Sequence, residues 1–262
     1  MVDQAKVAAR QRSRSLLRRL VASIGRLGIL PPDLICALPG IEVDDLRAIG
    51  IDLPSQYSRR LAWSYWRTRN ERSENAPGSY LGAVARSAYL VSLIPPLPPS
   101  AAILELGCNV GRNLEHLRAN GCSPLTGIEI NPQALEILRR EYPELGTSAR
   151  ILEGPIEHHI RRLAKGEFDL VFTMAVLEHL STQSEFVFRE MVRVSSKYVL
   201  TIEDEETQGR RHFRRDYGQV FRGLGCEELV ADRDCERIDL AFRGYVARVF
   251  SVPGHRHDLV PS

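Results

Sequence analysis

A short apolar strand that runs into a glycine-rich turn constrains the fold of this chain more than any other feature. The stretch reads ILELGCNVGRN over residues 103–113, and a helix-like apolar pattern follows it. Gly107 and Gly111 lack side chains, so the backbone of such a turn can approach a bound ligand closely. Glu105 is the one charge of the strand, and burying it without a partner is costly. We expect that partner to be a donor in the turn or on a ligand.

The same turn argues against two common phosphate sites. A dinucleotide fingerprint requires G-x-G-x-x-G, whereas this turn reads E-x-G-x-x-x-G with Asn109 at the place of the middle glycine. A P-loop requires a lysine and a hydroxyl residue after its last glycine, and Arg112 and Asn113 stand there instead. The pattern therefore favours a nucleoside ligand that carries a group other than phosphate.

A second acidic strand end follows in the stretch LTGIEIN, residues 125–131. Glu129 comes after Gly111 at close to the spacing, roughly 20 residues, at which an acidic residue binds a ribose diol. Ordinary turn glycines and a solvated glutamate would be the structural alternative. The order and spacing of the two strand ends, as one βαβ unit, favour ligand binding over that alternative.

Together with a third block, FDLVFTMAVLEHL at residues 168–180, these two segments resemble class I S-adenosylmethionine-dependent methyltransferases. The resemblance extends over residues 80–252, and the three blocks in combination are specific to the family but not to a substrate. The wording GCNVGRN also resembles methyltransferases of glycan and natural-product pathways. The resemblance implies S-adenosylmethionine as cofactor and methyl transfer as the activity.

Beyond the first strand, apolar stretches and helical patterns alternate, which predicts an α/β fold with a doubly wound parallel sheet. The last two strands, Glu227–Asp232 and Tyr245–Val252, would form the antiparallel edge hairpin that the resemblance implies, giving a mostly parallel seven-stranded sheet. We expect a methyltransferase domain over residues 80–262. Residues 1–79 would form a helical extension that could act as a lid.

The extension has two segments whose role the sequence leaves open. Residues 1–28 read as a basic amphipathic helix, which could dock on its own domain or make peripheral contact with an anionic membrane or acidic partner. A transit peptide is disfavoured by the early Asp3. The aromatic segment Tyr57–Arg69 predicts a packing helix, with a substrate lid and stacking on nucleic-acid bases as alternatives.

Composition narrows the class of protein. A chain of 262 residues with 44% hydrophobic and 26% charged residues suits one soluble α/β domain with an extension. The net charge of +2 gives no argument for a nucleic-acid partner. Five cysteines without paired spacing predict reduced thiols in a cytoplasmic protein and no metal site. No apolar run is long enough for a transmembrane helix, and oligomeric state cannot be inferred.

The resemblance implies that the cofactor binds along the carboxyl ends of the strands. Glu105 and the backbone of the turn suit the methionine portion, Glu129 the ribose diol and Ile130 the adenine face. After the third strand, Pro155 stands where many members have an acidic residue, which leaves Glu153, Glu157 or the Ile156 backbone for the adenine edge. The predicted cofactor-binding residues are Glu105, Gly107, Cys108, Asn109, Gly111, Asn113, Glu129, Ile130, Ile156, Thr173, Met174, Tyr80 and Arg86.

Catalytic candidates follow the fourth and fifth strands. Methyl transfer needs a general base only where the acceptor loses a proton, as a hydroxyl does. His179, Glu178 and His212 are the candidates, although packing or helix capping is an alternative role for His179. The acidic run 203–206 could be a solvated loop or bind a cationic acceptor. In the segment 209–217, Arg211, Arg214 or Arg215 could bind phosphate or carboxylate on the acceptor, or these arginines could be solvated surface residues.

No D-P-P-Y-like segment follows the fourth strand, and no Pro-Cys pair is present as a cytosine C5 nucleophile. We therefore expect a small-molecule, sugar or glycan-linked acceptor rather than DNA. Two alternatives stay open. One is RNA methylation, and the other is a non-catalytic module that binds S-adenosylmethionine for regulation.

Overall fold

The structure, a computed structural model, describes residues 30–255 except 37–40, 42, 49, 52 and 74. The predicted basic helix 1–28 lies outside the described residues. Within them, seven strands form one sheet in the order β3-β2-β1-β4-β5-β7-β6. The strands are β1 Ile103–Leu106, β2 Leu125–Glu129, β3 Arg150–Glu153, β4 Phe168–Met174, β5 Ser195–Asp204, β6 Glu227–Asp232 and β7 Tyr245–Ser251.

The strand order confirms the predicted doubly wound sheet. Strands β1 to β5 pair in parallel, and β7 lies antiparallel between β5 and the edge strand β6. The chain leaves β1 toward β2 on one side and returns to β4 on the other side. Ligands bind at such a reversal, outside the carboxyl ends of the strands. The candidate residues of β1, β2 and β4 therefore converge at one edge.

Helices cover both faces of the sheet. The α-helices are α1 Pro32–Ile35, α2 Val43–Ala48, α3 Arg59–Arg67, α4 Val84–Leu93, α5 Arg112–Ala119, α6 Pro132–Glu141, α7 Pro143–Ser148, α8 Ile156–His159, α9 Phe186–Val194 and α10 Tyr217–Gly223. Short 3₁₀ turns occupy Pro77–Tyr80, Ile160–Arg162, Leu177–His179, Thr182–Ser184, Cys235–Arg237 and Leu240–Phe242. Among the described residues, no helix combines the length and the apolar character that a membrane span requires.

Helix α6 shows how local sequence fixes an element next to the strand ends. Asn131 caps it, because its side chain accepts hydrogen bonds from the backbone N–H groups of Gln133 and Ala134. Pro132 occupies the first turn, where its fixed φ suits the helix and where its missing N–H costs no helical hydrogen bond. The apolar face buries Leu135 and Leu138 against the sheet.

The described N-terminal residues form their own hydrophobic cluster over α1 to α3. Its buried members include Ile35, Leu46, Leu61 and Tyr65. Helix α3 begins at Ser58, whose hydroxyl accepts from the backbone N–H of Leu61. This cluster, which we call the N-terminal cap, docks on the methyltransferase-like sheet. The boundary at residue 79 between extension and domain stays a prediction.

Several contacts join the cap to loops at the carboxyl end of the sheet, among them four hydrogen bonds that involve a backbone group or Trp63. Trp63 Nε1 donates to Glu157 Oε2 at 3.0 Å, and Arg59 N donates to Gln183 Oε1 at 3.1 Å. The Arg210 carbonyl accepts from Tyr57 N at 2.9 Å, and Asn131 Nδ2 donates to the Arg69 carbonyl at 2.9 Å. The cap therefore lies over the edge where the candidate residues converge.

The start of the acidic run at residues 203–206 is strand rather than loop. Glu203 and Asp204 pair with Val246 and Tyr245 of β7 and are buried. The expectation of a solvated acidic loop is therefore wrong for these two residues. Because it pairs with β7, strand β5 continues past its apolar residues as far as Asp204.

Arg248 of β7 is a buried charge that holds the sheet's antiparallel end together. Its side chain is 1% exposed, and its Nε and Nη2 donate to the two Glu205 carboxylate oxygens at 2.8 Å each. Nη1 donates to Glu228 of the edge strand, and Asp216 lies 3.6 Å from Nη2. One guanidinium thus joins β7, the edge strand β6 and the loop that follows β5.

Candidate functional site

A cavity of about 420 Å³ lies at the carboxyl ends of β1, β2 and β4, beneath the N-terminal cap. All of the predicted cofactor and catalytic residues except Gly111 and Thr173 line it. Other lining residues include Trp63, Trp66 and Arg69 of the cap, as well as Arg112 and Arg211. The aromatic segment of the cap is thus both a packing helix, through buried Tyr65, and a cover, through its tryptophans.

The two glycines of the turn serve different purposes. Gly107 adopts φ 73°, and a Cβ on it would lie 2.6 Å from Val176 Cγ2, so the turn needs glycine there. Gly111 adopts φ 77° and caps α5, and a Cβ on it would lie 2.6 Å from Leu138 Cδ1. Gly111 therefore keeps α5 and α6 in contact, and it lies outside the cavity lining. Thr173 is also outside, fully buried within β4.

Glu105 lies 2% exposed in the cavity wall. Its Oε1 accepts a hydrogen bond from Asn113 Nδ2 at 2.7 Å, while its buried Oε2 has no protein partner. Burial raises the pKa of this carboxyl to about 8, and the hydrogen bond from Asn113 opposes that rise. One oxygen thus has a donor in the turn, and the other is available to a donor on a ligand.

Glu129 is held rigidly at the end of β2. Its Oε2 accepts from the backbone N–H of Asn109 at 2.8 Å, and its Oε1 accepts from that of Asn131 at 2.7 Å. Burial raises the pKa of the carboxyl, and these backbone donors lower it. Each carboxylate oxygen keeps a further lone pair, so a diol can bind without displacing either N–H.

The loop after β3 narrows the choice of adenine contacts. Glu157 is engaged at both oxygens, since Oε2 accepts from Trp63 and Oε1 accepts from Ser184 Oγ at 2.6 Å. Glu153 is exposed and absent from the cavity lining. Ile156 lines the cavity beside Pro155. Of the alternatives drawn from sequence, the Ile156 backbone is therefore the one that this geometry favours.

Arg112 lines the cavity but was not among the residues predicted from sequence. It was noted there only because it stands where a P-loop would have its lysine. Its Nη1 donates to the Tyr80 carbonyl at 2.9 Å, and its Nε donates to Ser87 Oγ at 2.9 Å. Ser87 in turn donates to Asn113 Oδ1 at 2.7 Å, which orients the amide that binds Glu105. No local sequence pattern signals this role, because its partners come from a preceding helix and turn.

Arg86, a predicted contact of the methionine portion, already has an ion-pair partner. Its Nε lies 2.7 Å from Asp239 Oδ2, and its guanidinium stacks over Phe242 at 4.8 Å from the ring centroid. Both Arg86 and Phe242 line the cavity. Arg86 therefore closes one side of the cavity through the loop before β7.

Glu178, His179 and His212, the three catalytic candidates, meet at the other end of the cavity. The His179 Nδ1 lies 2.8 Å from the Arg211 carbonyl oxygen, which can only accept, so Nδ1 carries the proton. Nε2 then presents its lone pair, 3.5 Å from Glu178 Oε1. Burial lowers the pKa of His179 to about 3, so the ring is neutral at physiological pH.

The three side chains place one donor atom each within 4.8 Å of one another, a spacing that could hold a metal ion. The sequence predicted no such group, because Glu178 and His212 are far apart in the chain. Glu178 is already hydrogen-bonded at both oxygens, by Tyr245 Oη at 2.7 Å and by the Asp204 N–H at 2.5 Å. Burial and the nearby Glu203 raise the pKa of Glu178.

Glu203 binds the backbone of the turn that carries Glu178 and His179, a role that the sequence did not indicate. Its Oε2 accepts from the backbone N–H groups of Val176 and Leu177 at 2.9 Å each. Burial raises the pKa of Glu203 to about 7. The carboxyl thus caps the 3₁₀ turn that carries Glu178 and His179.

The arginines of residues 209–217 separate into different roles. Arg211 lines the cavity, whereas Arg215 donates to the Leu180 carbonyl at 2.9 Å and is tied to the loop beneath it. Arg214 is exposed. Of the three predicted contacts for an anionic acceptor, only Arg211 lies at the cavity.

Comparison with known proteins agrees with this architecture. Residues 104–198 match a family model described as a methyltransferase domain. The ubiquinone biosynthesis O-methyltransferase of Vibrio parahaemolyticus is 32% identical over 78 residues, which is 30% of this chain and 32% of that protein. That of Erwinia tasmaniensis is 30% identical over 78 residues, covering 30% and 31%. The matched region thus spans about a third of these curated relatives.

Solved structures share the fold at low sequence identity. The putative methyltransferase complexed with the Trm112 activator of Haloferax volcanii is similar with a TM-score of 0.55 and 14% identity, over 69% of this chain and 94% of that one. Geranyl diphosphate C-methyltransferase of Streptomyces coelicolor, solved with Mg²⁺, geranyl diphosphate and S-adenosyl-L-homocysteine, gives 0.53 and 12%, over 71% and 86%. Both likenesses concern the fold.

Proposed function

We propose that this chain, whose residues 104–198 match the methyltransferase-domain family model, is a class I S-adenosylmethionine-dependent methyltransferase that transfers the methyl group to a hydroxyl of a small-molecule, sugar or glycan-linked acceptor. The observation that carries the proposal is the pair of buried carboxylates, Glu105 and Glu129, that end adjacent strands in the wall of one cavity.

The cavity lining fits the chemistry of the cofactor. The unpartnered Oε2 of Glu105 suits the ammonium of the methionine portion, and Glu129 suits the ribose diol. Ile130 and Ile156 supply apolar surface for the adenine. When bound, the cofactor supplies a methyl group that its sulfonium has already activated. The protein's task is then to align the acceptor and exclude water, which the N-terminal cap does by covering the cavity.

The other end of the cavity suits a hydroxyl acceptor. His179 Nε2 is the atom placed to accept the proton that such an acceptor loses, because Nδ1 is committed to the Arg211 carbonyl. The low pKa makes His179 a weak base but keeps its base form fully present at neutral pH. A weak base suffices, since methylation of a neutral hydroxyl yields a strongly acidic protonated ether. Glu178 Oε1 lies 3.5 Å from Nε2, where it can stabilise the protonated ring.

Two observations support a small-molecule acceptor over RNA. The curated relatives are named for ubiquinone biosynthesis, and a fold neighbour is named for geranyl diphosphate. Trp63 and Trp66 of the cap also line the same cavity as Glu105 and Glu129, rather than a separate face of the protein. RNA methylation would instead require strongly salt-dependent binding of RNA. A non-catalytic module would bind the cofactor and never form S-adenosylhomocysteine.

Calorimetric titration of the full chain tests the cofactor assignment. We expect saturable binding of S-adenosylmethionine and no measurable binding of NAD, because the turn lacks the middle glycine of a dinucleotide site. Absent binding of the first compound, or tighter binding of the second, would overturn the proposal.

The raised pKa of Glu105 predicts how cofactor binding depends on pH. In the free protein Glu105 is mostly protonated at pH 7, below its pKa of about 8. A ligand cation favours the charged carboxylate and lowers that pKa, so binding should release a proton and tighten as pH rises from 6 to 8. The slope should approach a tenfold gain in affinity per pH unit.

Calorimetry at pH 7 in buffers of different ionisation enthalpy measures this released proton. The Glu105→Gln variant keeps the shape and an amide oxygen but has no proton to lose, and it also reveals any contribution from the ligand's own amine. We expect the difference in proton release between the two proteins to exceed half a proton, consistent with a free-protein pKa about one unit above the assay pH. Equal release by both would contradict the assignment.

A further inference from the structure

The imidazole of His179 is enclosed by rings from two separate parts of the chain. The Trp66 ring of the N-terminal cap lies 4.6 Å from it, centroid to centroid, and the His212 ring lies 4.7 Å from it. His212 belongs to the loop that also supplies the Arg211 carbonyl. Helix α3 is therefore the one element around His179 that comes from the N-terminal cap rather than from the sheet domain.

A second contact from the same helix holds the carbonyl that orients His179. The buried ring of Tyr65 lies between two guanidiniums, with Arg69 at 3.9 Å and Arg211 at 4.2 Å from its centroid. Arg211 Nη1 also donates to the Tyr65 hydroxyl. Tyr65 thus fixes the residue whose carbonyl accepts from His179 Nδ1.

We propose that Tyr65 and Trp66 are positioning residues, through which docking of the N-terminal cap selects the Nδ1-protonated form of His179 and leaves Nε2 as the proton acceptor in the cavity. The inference rests on the proposed function for its catalytic meaning. Trp66 acts by direct contact with the imidazole, and Tyr65 acts through Arg211. The cap then does more than cover the site, because it prepares the base before the acceptor arrives.

The charges around His179 are consistent with this role of the cap. Glu178 lies beside Nε2, Asp204 is at the end of β5, and Arg211 and His212 lie on the following loop. Asp204 favours the protonated ring, while Arg211 and His212 disfavour it. Burial is the largest cause of the lowered pKa, ahead of these charges. Removal of the Trp66 ring therefore changes the dominant influence.

Nitrogen-15 NMR of the histidine side chains tests the proposal without an acceptor. The full chain, labelled at its seven histidines, is recorded with S-adenosylhomocysteine added, and His179→Gln identifies the resonances of His179. In the wild type we expect Nδ1 protonated, Nε2 unprotonated and no titration between pH 8 and 5. In Tyr65→Phe, which keeps the ring but loses the hydroxyl, a second population with Nε2 protonated should appear.

Trp66→Leu removes the ring while keeping apolar bulk in the cap. Water then reaches the imidazole, and the titration midpoint of His179 should rise by about two pH units or more, which brings it from about pH 3 into the measured range. The matched controls are Tyr57→Phe and Trp63→Leu. Tyr57 is a buried cap tyrosine whose hydroxyl accepts from Arg47, and Trp63 packs on a different histidine, His158, at 4.8 Å. Neither control should alter the His179 signals.

The outcomes separate this inference from the proposed function. Circular dichroism and thermal melting establish that each variant is folded. If folded Tyr65→Phe and Trp66→Leu both leave the His179 tautomer and titration unchanged, the positioning role is wrong. Changes in both controls of the same size as in the variants would also overturn it. Absent S-adenosylhomocysteine binding by the wild type would count against the proposed function, while the ring measurements would still decide the positioning role.

Discussion

Replacement of Glu129 by alanine should weaken S-adenosylmethionine binding about 100-fold or more, because charge-assisted hydrogen bonds contribute roughly 1.5–3 kcal/mol each. The variant removes the carboxylate that we propose as the acceptor for both hydroxyls of the ribose. It also leaves the N–H groups of Asn109 and Asn131 without the carboxylate that now holds them. Calorimetry or a fluorescence titration with the full chain measures the change.

Two further variants divide the loss into its parts. Glu129→Gln keeps one carboxylate-like oxygen and should lose about tenfold, or 1.4 kcal/mol. Glu153→Ala is the matched control, since Glu153 pairs with Glu129 across the β2–β3 register but is exposed. It should bind as the wild type does. Full affinity of Glu129→Ala would refute the assignment of the ribose to this residue.

Arg248→Met should lower the free energy of unfolding by about 3–5 kcal/mol, since removing one partner of a buried ion pair leaves uncompensated charge. The charges left behind would be Glu205 and Glu228, with Asp216 close by. Urea unfolding followed by circular dichroism gives the difference directly. The same variant should perturb the structure of the β6–β7 hairpin more than that of the distant cavity.

Arg237→Met provides the comparison for a surface pair. Arg237 is 45% exposed and pairs with Asp232, and an exposed pair adds little to stability. Arg248→Lys keeps the charge but not the planar fork that reaches two carboxylates, so its loss should fall between the two. A loss below about 1 kcal/mol for Arg248→Met would show that the buried network contributes little to stability.

Local sequence was sufficient for the sheet and for bringing the residues of the proposed cofactor site together at its edge. The strand–turn–helix stretch around Gly107 and the acidic end at Glu129 are contiguous patterns, and their chemistry depends on neighbours a few residues away. Parallel pairing then brings both strand ends together without further information. The confirmed antiparallel hairpin came from family resemblance rather than from periodicity.

The acceptor half depends on contacts that no local pattern encodes. The His179 ring is set by Trp66 and by the Arg211 carbonyl, which come from opposite ends of the chain. The sequence places Glu203 in an acidic run that could be a solvated loop or bind a cationic acceptor, and the pattern does not indicate its burial, because a charged residue is rarely buried. It is buried because three consecutive backbone N–H groups after β4 meet its carboxylate.

The docking of the N-terminal cap has a consequence for the order in which this protein is completed. Helix α3 is synthesised before the whole sheet, yet its partners come much later, with Arg59 and Gln183 separated by 124 positions and Tyr65 and Arg211 by 146. Such non-local contacts form late in folding. Until residue 211 has left the ribosome, the cap lacks part of the surface on which it docks. The cavity of a nascent chain is therefore not yet covered. The complete cover over the proposed cofactor site thus requires the chain to have been synthesised through residue 211.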